Sequence, residues 1–312
     1  MELRRLGASG LKVSAVGLGC NEFGRAIDQA GATAVVHAAL DGGITLFDTA
    51  DFYGGHQSEG MLGKALGARR QEVVLATKFA GPMAWDPARP SRGSRAYVVQ
   101  AVEASLQRLG TDYIDLYQQH RFDPVTPVEE TMRALDDLVT AGKVRYLGCS
   151  NHAAWQIADA AGIARQGELS PFISAQDEFN LLSRGAAADL LPACAHFGLG
   201  FLPYFPLASG LLTGKYRRGE APAADTRLAV RQALAAEALS NESFDRLDRL
   251  TAFAADRGHT LLDLAFAWLL GQPVVSSVIA GATRPEQVRS NIAAAAWRMT
   301  PEEVAEAAAL AA

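Results

Sequence analysis

Cysteine is scarce in this chain. Cys20, Cys149 and Cys194 are the only three in 312 residues, too few and too scattered for a disulfide framework or a zinc site, and an odd count suits a reducing compartment. All three are expected to be free thiols, with no metal. Basic charge is not in excess either: 29 Lys and Arg stand against 34 Asp and Glu, a net of -5. That balance gives no whole-chain attraction to phosphate backbones or anionic lipid, so neither nucleic acid nor a membrane is expected as a partner, although a local basic site could hold a small anion. Long hydrophobic runs are missing too. The most apolar stretch, residues 261–270, is about half a membrane span and contains Asp263, so it reads as a buried helix. The opening MELRRLGASGLKVS has two arginines but no apolar segment behind them, which predicts no secretory signal and a cytoplasmic protein.

Other absences narrow the fold. No early GxGxxG follows a first strand, there is no internal repeat, and no low-complexity linker marks a second domain. No heptad pattern or apolar seam points to an oligomer. What is present is an ordinary globular composition, 49% hydrophobic and 20% charged, in which short β-branched runs alternate with longer helix-patterned stretches. Strands are predicted at 13–19, 44–47, 73–76, 114–118, 144–148, 172–176, 200–204 and 274–280. Between them the helical period is plain, as in Val98, Val102, Leu106, Leu109 and then Val128, Met132, Leu135, Leu138. Thr126 and Thr300 are each followed by proline and, at the third position, glutamate, which predicts two capped helix starts. Eight strands with intervening helices predict an α/β chain folded as a (β/α)8 barrel, a single domain over residues 1–312 with extra C-terminal helices. Residues 217–236 read as a long loop and 243–256 as an additional helix.

Four residues suited to reversible carbonyl reduction, Asp48, Tyr53, Lys78 and His120, fall just past strand-like segments, in DTADFYG, TKF and QQHRFDP. Side chains at the C-terminal ends of barrel strands converge on one face. Reducing a carbonyl with hydride needs a proton donor at the oxygen and a cation to stabilise the developing alkoxide. Tyr53 can donate the proton, but its ordinary pKa of about 10 makes it a slow acid at neutral pH unless a cation favours the phenolate. Lys78 supplies that cation, Asp48 holds the ammonium as a buried ion pair, and His120 orients the substrate oxygen. Singly each residue has an ordinary structural use as a cap, a core ring or a solvated end. Their joint placement at three successive strand ends favours a site. Phe23, Phe79, Trp85 and Arg121, with Tyr53, are expected to line the substrate pocket, whose apolar walls with a few polar groups suit a small aldehyde or ketone.

The segments FDTADFYG with SEGMLGKAL, then ATKF, DYIDLYQQHRFDP, GKVRYLGCSN and PLASGLLTGKY strongly resemble the aldo-keto reductases. The likeness runs nearly end to end, from LGASGLKVSAVGLG to EQVRSN, and the stretch from HRFDP to GCSN is most similar to the aryl-alcohol-dehydrogenase-like branch. The resemblance implies a (β/α)8 oxidoreductase that uses NADPH, with NADH as an alternative. It would reduce an aromatic, aliphatic or sugar-derived carbonyl reversibly, with Tyr53 as general acid and base, Lys78 and Asp48 tuning it, and His120 polarising the carbonyl.

The resemblance also implies a cofactor site. Ser150, Asn151 and Gln176 match the residues that bind the nicotinamide carboxamide, and Tyr204 the ring that stacks on the nicotinamide. Leu207, Ser209, Leu211 and Lys215 lie in a turn that lines the pyrophosphate, and a basic residue beside a small-residue turn is a sensible anion site. In GATRPEQVRSN a helix start faces the barrel mouth, with Thr283 and Glu286 as a capping box, and Arg284 adds charge for a 2′-phosphate. Gln287 and Asn291 would contact the phosphate and adenine ends. The chain departs from the family pattern at Ala280, where proline is usual, at Phe179 in QDEFN, and in GCNEFG, where Glu22 is expected to bring a carboxylate near the mouth. Two other functions fit the same residues: a nucleotide-binding regulatory subunit with little turnover and, more remotely, a Schiff-base aldolase using Lys78.

Overall fold

A computed structural model describes residues 1–81, 91–223, 226–230, 235 and 238–312. Its centre is a parallel sheet of eight strands: β3 (Val16–Gly19), β4 (Leu46–Asp48), β5 (Val74–Phe79), β6 (Ile114–Gln119), β7 (Val144–Ser150), β8 (Phe172–Glu178), β9 (Gly200–Tyr204) and β10 (Val278–Gly281). They are ordered β10-β3-β4-β5-β6-β7-β8-β9. Closure comes just before β10, where the Phe201 N–H donates to the Val274 carbonyl at 2.8 Å and the Ser276 N–H to the Phe201 carbonyl at 3.0 Å. Around the sheet run α1 (Gln29–Asp41), α2 (Ser58–Leu66), α3 (Arg95–Leu109), α4 (Val128–Thr140), α5 (Ala154–Gln166) and α6 (Leu190–Phe197), then α7 (Asn241–Ala255), α8 (Leu261–Leu270), α9 (Pro285–Ala294) and α10 (Pro301–Leu310). This is the (β/α)8 barrel, with α7 the additional helix and α8 the buried apolar one. Among the described residues no helix is long and apolar enough to cross a membrane.

The strand pleat sorts the core into two layers. On β5 and β6 the side chains of Val74, Ala76 and Leu116 point into the barrel, where they meet Leu46, Leu202 and Ile279. Alternate residues such as Leu75, Phe79 and Tyr117 point outward, toward the buried stripes Val98, Val102, Leu106 and Leu109 of α3 and Met132, Leu135 and Leu138 of α4. The three cysteines are free and buried.

Some elements differ from the sequence reading. Residues 13–19 form two strands: β2 (Lys12–Ser14) pairs antiparallel with β1 (Leu3–Arg5), and β3 starts after the break at Ala15. The Ser14 hydroxyl makes that break by donating to the Val16 carbonyl at 2.6 Å while accepting from the Thr45 N–H at 2.9 Å. The hairpin places Leu6 and Val13, both fully buried, in the inner cluster and so plugs one end of the barrel. Thr126 does not cap α4; its hydroxyl donates to Asp123 at 2.7 Å and Pro127 takes the cap position. Thr300 and Glu303 do form the reciprocal box on α10. Thr283 and Glu286 do not, because the Gln287 side-chain oxygen accepts from both the Thr283 N–H and its hydroxyl.

Candidate active site

At the end of the barrel opposite the plug, the inner apolar layer gives way to charge. The pleat that turns Val74 and Ala76 inward does the same for Lys78 two residues on, and β6 brings Gln118 into register beside it. The Lys78 ammonium, with no exposed surface, donates to Asp48 Oδ2 at 2.6 Å, to the Thr49 carbonyl at 2.9 Å and to the Tyr53 hydroxyl at 3.4 Å. The second oxygen of Asp48 accepts from the amides of Gln118 at 3.1 Å and Gln176 at 3.0 Å, so both oxygens of this buried carboxylate are satisfied. His120 stands edge-on to Tyr53, ring centroids 5.9 Å apart, with Phe52 packed on both. The four residues therefore meet. Gly81 is required beneath Phe52, since a Cβ there would lie 2.3 Å from the ring.

Electrostatics refine the chemistry expected of the group. Burial alone would lower the Lys78 pKa, but the charges and hydrogen bonds of Asp48 and Tyr53 outweigh it and raise the pKa, so the amine stays protonated. A Schiff-base nucleophile must be neutral and reachable. Lys78 is neither. For Tyr53 the balance differs from the sequence argument: burial is the largest influence and raises its pKa, and Lys78 opposes that rise without reversing it. Burial, with the Lys78 and Arg121 cations, pushes His120 down to about 2. Its imidazole is thus neutral in ordinary buffers, and its buried Nδ1 has no partner among the described residues.

Behind Tyr53 lies a second buried polar group. Glu59 accepts from the Thr77 hydroxyl and from Arg108 Nε, each at 2.6 Å. Asp51 lies near it electrostatically, and burial, then the Glu59 charge, raise its pKa to about 6. Asp51 Oδ1 and the Tyr117 hydroxyl are buried without partners among the described residues.

The residues assigned to a cofactor follow the rim from β7 to β10. Asn151, left-handed at φ 55°, donates through Nδ2 to the His120 carbonyl at 3.1 Å and to Ser150 Oγ at 2.9 Å, and accepts from the Tyr204 hydroxyl at 2.8 Å. Gln176 shares this rim while its amide N–H groups serve Asp48. After β9, Ala208, Ser209 and Gly210 are all left-handed, and the exposed Lys215 folds its ammonium over the turn, where a Cβ on Gly210 would lie 2.7 Å from it. Leu211 is buried in that turn and Leu207 is partly exposed. Arg284 is exposed at the start of α9, and Asn291 is buried further along it. A left-handed turn under an exposed cation, here Lys215 held over the Tyr216 ring at 5.1 Å, is a cradle for an anion.

The expected pocket residues fare less well. Phe79 faces the helical layer and stacks on Tyr117 at 4.9 Å, because the parity that turns Lys78 inward turns its neighbour out. Phe23 is completely buried within the first loop. Arg121 is exposed at the mouth, and Trp85 lies outside the described residues. Glu22 offers no free carboxylate: burial would raise its pKa, but Arg25 and Arg227 bracket it and hold it below the usual range.

The family model for the aldo/keto reductase family matches residues 15–312. The chain belongs to that family. It is 39% identical over 303 residues to a probable voltage-gated potassium channel subunit beta of Oryza sativa subsp. japonica, covering 94% of this chain and 91% of that one. It is 38% identical to a protein of the same description from Arabidopsis thaliana, with the same coverage. It is 36% identical over 304 residues to the uncharacterized oxidoreductase YrpG of Bacillus subtilis (strain 168), covering 94% and 91%. In this aldo/keto reductase two of the three family departures lie away from the quartet, Phe179 buried against Phe201 and Trp268 and Ala280 buried on β10, whereas the GCNEFG loop borders it, the Cys20 N–H donating to the Asp48 carbonyl at 2.8 Å. Sequence reasoning missed Gln118 and Phe52. Gln118 had a signal, since it stands two residues before His120 and so on the same face. Phe52 had none beyond its place beside Tyr53.

Proposed function

We propose that this chain is an NADPH-dependent carbonyl reductase acting on a small aldehyde or ketone. One observation carries the reading: a tyrosine hydroxyl 3.4 Å from a buried ammonium that is itself locked to Asp48, at the open end of the barrel beside a neutral histidine. In the proposed reaction Tyr53 gives its proton to the carbonyl oxygen. Lys78 stabilises the phenolate left behind, and the Gln118 and Gln176 amides keep Asp48 from drawing the ammonium away. His120, kept neutral by burial and by the Lys78 and Arg121 cations, donates a hydrogen bond that orients the substrate oxygen. Because every group is restored by the reverse transfers, the same residues serve alcohol oxidation.

The rim fits a dinucleotide. Ser150 and Asn151 present amide and hydroxyl groups to a neutral carboxamide, Tyr204 offers a ring, and the left-handed turn under Lys215 suits a pyrophosphate, with Arg284, Gln287 and Asn291 toward the adenosine end. NADPH bound there supplies the hydride. The test is consumption of NADPH and NADH by the purified protein against aromatic, aliphatic and sugar aldehydes, with Tyr53→Phe beside wild type. The variant should lose about 10²- to 10⁴-fold in turnover while keeping its NADPH affinity. Near-normal turnover in Tyr53→Phe removes Tyr53 from the acid role.

The rice and Arabidopsis relatives favour a second reading, a nucleotide-binding subunit of a larger assembly with little turnover. Tight NADPH binding with no consumption across the whole carbonyl panel would select it.

A further inference from the structure

His152, one residue past the rim pair Ser150 and Asn151, takes no part in the site as described, yet it is buried at the wall between β6 and β7. Its Nδ1 lies 2.9 Å from the Ser150 carbonyl and its Nε2 3.3 Å from Gln119 Oε1, an amide whose oxygen and nitrogen exchange places on a half-turn. Phe122 and Phe172 stand edge-on to the ring at 5.7 and 6.1 Å. A carbonyl can only accept, so Nδ1 carries the proton. Burial holds the His152 pKa down to about 4, so the ring is neutral and Nε2 accepts, which requires Gln119 to present its NH2.

We infer that His152 is the positioning residue for the cofactor rim: from behind the barrel wall it fixes the turn that aims Ser150 and Asn151 into the mouth. The inference rests on the reading of that rim as a dinucleotide site. Two connections carry it. The Nδ1–H bond to Ser150 closes a tight loop around Asn151, whose left-handed backbone is costly for a residue with a side chain unless its surroundings hold it. The Nε2 contact ties that loop to Gln119, the residue before His120, while Asn151 Nδ2 ties back to the His120 carbonyl. The ends of β6 and β7 are thereby pinned on both faces of the wall, with His120 and Asn151 between the pins. Loss of the His152 bonds should let the loop drift and weaken nucleotide capture, while Tyr53, Lys78 and Asp48, on β4, β5 and their loops, keep their geometry.

Three variants test this, read by NADPH fluorescence titration, steady-state kinetics and thermal unfolding. His152→Phe keeps an aromatic ring between Phe122 and Phe172 but removes both hydrogen bonds; the dissociation constant for NADPH should rise about tenfold, the size of effect one such bond can have, with kcat at saturating NADPH within about threefold of wild type. His152→Asn places a donor near the Nδ1 position and should restore most of the affinity. Gln119→Leu, which leaves Nδ1 alone, should fall between them and keeps the inference testable if His152→Phe does not fold. Unchanged NADPH affinity in His152→Phe, or His152→Asn as weak as His152→Phe despite a higher unfolding temperature, overturns the inference. Wild-type protein that binds no dinucleotide overturns instead the reading on which it rests.

Discussion

Asp51 carries a carboxyl two residues before Tyr53, near the buried Glu59, with one oxygen unpartnered among the described residues, and its pKa is raised from 3.8 to about 6. The sign of its effect on stability follows from the direction of that shift. Between those values the folded chain holds a proton that the unfolded chain has released, so the Asp51 contribution is present below pH 4 and is lost as the pH rises through 6. The loss is about 3 kcal/mol. Asp51→Asn cannot ionise and should gain about that much relative to wild type between pH 4 and pH 8 in urea unfolding; an equal difference at both pH values would show that Asp51 is not protonated in the fold. His120, pushed from 6.5 down to about 2, has a window of the opposite sense: as the pH falls below 6.5 the unfolded chain takes up a proton that the folded chain does not, a loss of stability shared by wild type and Asp51→Asn that cancels in their difference. At this scale the sequence shows which residues carry chemistry but not how they are wired. The Gln176 amide reaches Asp48 across 128 positions of chain, and no local pattern encodes that contact. Phe79 is the reverse case, because its outward parity was already implied by Lys78.

Among the elements, the N-terminal hairpin tests the division of the barrel into a stabilising end and a chemical end. Leu6 and Val13 belong to the inner apolar layer with Leu46 and Val74, at the end of the barrel opposite the quartet. Leu6→Ala should therefore cost about 2–5 kcal/mol of stability, read by denaturant unfolding, with KM for the carbonyl unchanged. A large rise in KM would mean that the two ends are coupled. The hairpin was hidden in the sequence because its strands are three residues each and the second runs straight into β3, so 13–19 looked continuous. The helices were legible because the 3.6-residue period of α3 and α4 survives over several turns. Caps were legible only where the side chain had no rival: Thr300 found its glutamate, whereas Thr126 found Asp123 first.

For the molecule as a whole, the strand order splits the mouth between two tasks. The quartet occupies the ends of β4, β5 and β6, and the residues proposed for the cofactor occupy β7 to β10. A ligand lying along four strand ends binds only the closed barrel, so NADPH at a hundred times its dissociation constant should stabilise the fold by about 2.7 kcal/mol, a rise of a few degrees in a thermal scan. NADH at the same concentration should give less, since it lacks the 2′-phosphate that Arg284 would meet. Equal shifts from the two would remove Arg284 from cofactor discrimination.

The plugged, apolar floor under Asp48 and Lys78 has a consequence for proton supply. Leu46, Val74, Ala76, Leu116, Leu202 and Ile279 carry no donor or acceptor side chain, the Ser174 and Ser277 hydroxyls buried near them have no hydrogen-bond partner among the described residues and so form no chain, and Leu6 and Val13 close what would otherwise be the far exit. In the proposed reaction a proton given up by Tyr53 is replaced not from that floor but by way of the mouth by which the substrate entered. Product departure and recharging of the acid then share one doorway, and a bulky alcohol that lingers there delays both.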